Sequence, residues 1–188
     1  MKQTKNLVLS AFFMALGLVL PFLTGQIPQI GKMMLPMHIP VLLCGFICGW
    51  QYGLAVGFIT PLLRGAMFGM PVLMPSGVGM AVELAVYGLV TGLLHAKLPK
   101  KIPYIYVSLL GAMIMGRVAW GIVSIALYGF MGNRFSMAIF LSGAFLNAIP
   151  GIILQIILIP AIIIALKKAR VLEDYDEDDR KGRLAAAK

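Results

Sequence analysis

Acidic side chains are almost absent from this chain until its end. Of seven aspartates and glutamates in 188 residues, six are Glu173, Asp174, Asp176, Glu177, Asp178 and Asp179, and the seventh is Glu83. Between the ends, apolar runs follow one another with few interruptions, and 60% of the chain is hydrophobic against 12% charged. Water-soluble domains carry roughly 25% charged residues, so a soluble core is the wrong class. The chain reads as an all-α integral membrane protein. With no water in the hydrocarbon, a non-barrel chain satisfies its backbone there only as helix.

A spanning helix takes roughly 17–25 mostly apolar residues. Residues 5–23, 78–96, 104–130 and 139–168 meet that requirement directly. The stretch Met37–Arg64 is long for one span and short for two. Its centre, "GWQYG" (Gly49–Gly53), has the residues of a turn. Splitting it into 37–50 and 52–64 gives six transmembrane helices, the second and third short, with both termini on one side. Lys2, Lys5, Lys97, Lys100, Lys101, Lys167, Lys168 and Arg170 then fall inside, and Lys32, Arg64 and Arg134 outside. The positive-inside rule prefers this arrangement over five spans. Residues 1–170 form the expected membrane domain, and the charged tail 171–188 reads as a disordered extension.

The net charge of +9 is thus membrane topology rather than a nucleic-acid footprint, since no basic patch alternates with aromatics on a polar face. Cys44 and Cys48 lack histidines at ligand spacing and read as buried free thiols, so no metal is expected. The first apolar run has no small-residue cleavage site after it and reads as a retained span. No Walker motif, phosphate cradle or cofactor fingerprint occurs, so no cofactor is expected and no motor is visible. Both histidines are expected to lie away from Glu83 and from the serines, which leaves no nucleophile–base set. His95 reads as interfacial, and Gln155 is expected to bond a neighbouring backbone.

Ionisable groups inside a bilayer mark pathways or sites. On the fifth helix Arg117, Trp120, Ser124 and Tyr128 follow at steps of 3, 4 and 4 and share one face. On the fourth, Glu83 and Tyr87 do the same, and on the sixth Asn147 lies between Gly143 and Gly151. At 1.5 Å per residue, Glu83 lies roughly 8 Å below the outer surface, Asn147 about 12 Å, Tyr87 about 14 Å and Arg117 about 20 Å. Such a set suits a cavity open to the outside that takes a polar ring or a carboxylate; the alternative is a polar packing seam. His38, next to the first outer loop, is a candidate gate or pocket residue. Arg64, at the mouth, is a second candidate for a carboxylate, and Arg117 is the expected deep partner of Glu83 or of a ligand beside it.

Residues Lys5 to Arg170 resemble the substrate-binding S components of energy-coupling factor (ECF) transporters. The resemblance rests on "PMHIPVLLCGFICGWQYGLAVGFITPLLRG" (Pro36–Gly65), on "SAFFMALG" in the first helix, and on six helices with a proline-rich first outer loop. It implies a non-enzymatic subunit of the bacterial plasma membrane that captures a B vitamin or related metabolite. Pyridoxine-like or hydroxymethylpyrimidine-like compounds and pantothenate are the candidates. It further implies partners: a transmembrane coupling subunit and two ATPase subunits, with Ala11 and Ala15 on the docking face. Two other classes compete, a small membrane enzyme acting on lipid or prenyl substrates and a structural membrane partner. The enzyme needs more acid–base groups than one intramembrane acid supplies.

Overall fold

The computed structural model describes residues 2–24, 33–132, 136, 142 and 148–169. Among them are six α-helices: α1 (Lys2–Val19), α2 (His38–Cys48), α3 (Trp50–Phe68), α4 (Val78–Lys97), α5 (Ile102–Phe130) and α6 (Ile149–Lys168). A 3₁₀ turn (Leu20–Thr24) extends α1 and a π turn (Leu73–Gly77) leads into α4. No strand occurs among the described residues. Four helical segments are long and apolar enough to cross a bilayer: Gln3–Leu23, Leu73–Lys97, Ile102–Phe130 and Ile149–Lys168. The protein is a multi-pass membrane protein. Residues 25–32, most of 133–147, and 170 with the tail 171–188 lie outside the described residues.

α4 is the hub. It packs most extensively on α3 and α5 and also on α2, while α1 lies against α2 and α3, and α6 against α5 and α2. Apolar side chains of α2, α4 and α5 make the core, among them Val41, Leu42, Cys44, Leu84, Leu109 and Ala112, with Ile159 and Ile163 from α6. Cys44 and Cys48 are buried free thiols.

Only α2, with 11 residues, is short; α3 has 19 and corrects the expectation of two short helices, and the boundary between them is narrower than the sequence suggests. One residue, Gly49 at φ 95°, divides α2 from α3, a conformation that costs glycine nothing. Tyr52 and Gly53 are already inside α3. At its other end α3 continues past Arg64 to Phe68, because Ala66, Met67 and Phe68 sustain a helix. It stops at Gly69, which is left-handed at φ 70° and bonds Gly65 O at 3.0 Å. The connection from α3 to α4 is correspondingly shorter than the expected span limits, 64 and 78, allow.

Small residues set the spacing. A Cβ placed on Gly57 meets Leu84 O at 2.2 Å, and one on Gly88 meets Gly53 O at 2.1 Å. The α3 and α4 backbones are thus in direct contact, as small residues allow between helices in lipid. α1 joins α3 along a second seam with a contact at each turn. Gly17 accommodates the Thr60 side chain, Leu18 O accepts from Arg64, and the Phe22 and Phe68 rings meet edge to face at 5.1 Å.

Candidate solute-binding site

α2 has 11 residues, roughly 16 Å of helix against roughly 30 Å of hydrocarbon. Its first residue therefore begins deep in the molecule. There His38 is 1% exposed, and its Nε2 lies 3.6 Å from Glu83 Oε1. The expectation that both histidines stand apart from Glu83 is corrected for His38: counting depth from the loop ignored how short this helix is. His95 does stand elsewhere, with its ring 5.1 Å from that of Phe46 and its carbonyl accepting from Lys100 Nζ.

α4 and α5 run antiparallel and bring their polar stripes together. Arg117 Nη1 is 3.0 Å from Glu83 Oε1, both groups buried. One turn along α4, the fully buried Tyr87 packs its ring against His38, centroids 5.2 Å apart. Gly116 makes room for that ring, since a Cβ there would lie 1.9 Å from Tyr87 Cδ1. Sequence reasoning missed Gly116; its position directly before the intramembrane arginine was the available signal. One turn toward the start of α4, Gly79 faces Trp120 and Ser124. A Cβ on it would stand 3.4 Å from the indole and 3.7 Å from the hydroxyl. Ser124 is buried, and Trp120 and Tyr128 are half-buried on the same stripe.

The structure thus brings together His38, Glu83, Tyr87 and Arg117, with Trp120 and Ser124 one layer out. It does not bring Arg64 into that group. Arg64 is 3% exposed, donates from Nη1 to Leu18 O at 2.5 Å, and lies over the Phe22 and Phe68 rings at 4.9 and 5.3 Å. Pro21 has no N–H to offer the last carbonyls of α1, and Arg64 supplies a donor there. Asn147 lies outside the described residues. Ala11 and Ala15 are both exposed on α1.

The central cluster is polar yet under-bonded. Among the described residues, both His38 nitrogens, Glu83 Oε1, Tyr87 Oη, and Nε and Nη2 of Arg117 are shut off from solvent without a hydrogen bond, although Glu83 Oε1 stands close to His38 and Arg117. Gln155 on α6 is fully buried, and neither of its amide atoms finds the backbone partner expected of it among the described residues. Each such atom costs about 1–3 kcal/mol unless something else bonds it. Unsatisfied polar atoms of this kind are what a site that receives a polar solute has to offer.

The sequence model of one family, "ECF transporter, substrate-specific component", matches residues 5–163. The chain belongs to that family. As an ECF substrate-specific component it has a role in substrate-specific transport, in a family of binding components rather than enzymes. Components of this kind work with a coupling module and ATPases in general. No curated protein sequence and no solved structure matches the chain. Among the described residues of this ECF component, no three His, Cys, Asp or Glu side chains converge as a metal site needs.

Proposed function

We propose that this ECF component captures a B vitamin or a related small metabolite from outside the cell and hands it inward through an ATP-driven coupling module. The observation that carries this reading is the set of buried, unpartnered polar atoms of His38, Tyr87 and Arg117 around Glu83. They gather where α2, α4 and α5 meet, with the indole of Trp120 one layer out. The substrate contacts are assigned to Glu83, Tyr87, Arg117, His38, Trp120, Ser124 and Tyr128, with Asn147, which precedes α6 in the chain, added from the sequence reading. Arg64 is left out because its guanidinium is engaged with α1. A pyridoxine-like or hydroxymethylpyrimidine-like ring suits Trp120 and Tyr87; pantothenate suits Arg117 and the hydroxyls.

In this reading all six helices cross the bacterial plasma membrane, α2 as a short one paired with α3, with both termini cytoplasmic. The lysines after α4 and at the end of α6 support that orientation. The exposed Ala11 and Ala15 face offers the coupling subunit a close approach to the α1 backbone. A thermal-shift screen of B vitamins and their precursors, on the purified chain in detergent, tests the reading. One compound is expected to raise the unfolding temperature in a saturable way; a flat response to the whole panel removes the reading's main support.

A further inference from the structure

The chemistry of the ligand's deepest group follows from how Arg117 is used, an argument that rests on the chain being a solute-binding subunit. A guanidinium presents five N–H donors, and its Nε and Nη2 edge is a planar fork matched to a carboxylate. Glu83 approaches Nη1 at 3.0 Å. Nε and Nη2 are buried and have no partner among the described residues. The edge suited to bidentate binding is therefore the edge left open.

Among the described residues the sole acid is Glu83, and it meets Arg117 at Nη1 rather than along that edge. Glu83 is the sole aspartate or glutamate before Glu173, and the other six follow the end of α6. The helices also hold two guanidinium groups, Arg64 and Arg117, against that single carboxylate. Arg64 is satisfied by a carbonyl and two aromatic faces, so among the described residues Arg64, Arg117 and Glu83 leave the buried charges with one more positive than negative. One monoanion balances it, whereas a dianionic phosphate leaves a net negative charge in low dielectric, which is costly.

We propose that the site takes a small monocarboxylate, its carboxylate held side-on by Nε and Nη2 of Arg117 while Glu83 fixes the guanidinium from Nη1. The Tyr87 hydroxyl and the His38 imidazole, both buried and without a hydrogen bond among the described residues, then bond a hydroxyl or a ring atom next to that carboxylate. Trp120, three residues further along the same stripe, receives the body of the ligand. The carboxylate end enters first.

The test measures binding of matched pairs to the full chain in detergent: pantothenate with pantothenol, nicotinate with nicotinamide, and biotin with its amide. Mass spectrometry of small molecules retained through purification accompanies it. In whichever pair binds, the carboxylate member is expected to be roughly 10- to 100-fold tighter, the range for hydrogen bonds to a charged group. Arg117→Lys, which keeps the charge but not the fork, is expected to abolish that preference. A double variant, E83Q with R117Q, removes both charges together and reports on folding. Equal affinity for the neutral member, a preference that survives Arg117→Lys, or a retained ligand lacking a carboxylate overturns the inference and leaves the solute-binding reading intact. No binding across the panel together with no retained small molecule overturns both.

Discussion

Glu83 and Arg117 are buried at a single contact, so each is the other's main defence against an uncompensated charge. Glu83→Gln alone strands the guanidinium and is expected to cost about 3–5 kcal/mol of stability, the range for breaking one side of a buried pair. E83Q combined with R117Q is expected to cost clearly less than the two single changes summed, and a double-mutant cycle by chemical or thermal denaturation measures the difference. Arg64 predicts the opposite pattern. Arg64→Ala removes the donor to Leu18 O and two ring contacts, so the unfolding temperature is expected to fall while ligand affinity in the folded protein stays within about twofold, measured by titration below that temperature. At this scale the sequence made Glu83, Tyr87 and Arg117 legible, because helical spacing alone puts each on a shared face. It did not reveal what Arg64 does. The carbonyl it caps belongs to a helix 46 positions away, and that contact exists only once α1 and α3 lie side by side.

Among the elements, the α3–α4 seam explains how a helix as short as α2 is held against α4 at all. Gly53, Gly57 and Gly88 bring backbones together, so the α2–α3 pair sits close enough for His38 to reach the level of Glu83. Gly57→Ala forces a methyl to within 2.2 Å of Leu84 O and is expected to destabilise by about 1–3 kcal/mol, typical of overpacking. Gly129→Ala is the control. Nothing lies within 4 Å of its added methyl, and a helical glycine replaced by alanine there is expected to be neutral or to stabilise by up to about 1 kcal/mol. The six helices themselves follow from apolar length and turn residues, and the break at "GWQYG" was readable because Gly49 is the residue for a positive φ. The end of α3 was not readable at Gly65, since a glycine inside a helix and a glycine capping one look alike until the backbone is traced. Gly65 instead lets Pro71 O approach, where a Cβ would stand 2.7 Å away.

For the whole molecule, the proposed site and the proposed coupling face belong to different helices. α1 touches α2 and α3 but carries none of the clustered polar groups, and its Ala11 and Ala15 face is exposed. Ala11→Trp with Ala15→Trp is therefore expected to leave solute binding by the isolated chain unchanged and to abolish uptake when the chain is produced with a coupling module, read by accumulation of labelled solute in cells. Family membership was legible from the Pro36–Gly65 block, whereas the identity of the solute was not, because that depends on which few donors and acceptors are left unpaired in three dimensions. The measurement that tests the account most directly is an equilibrium titration of the stabilising solute against the purified wild-type chain and the E83Q–R117Q double variant. The account predicts one saturable site in the wild type, and at least a tenfold loss of affinity in a variant that still unfolds cooperatively. Unchanged affinity in the folded variant would contradict it.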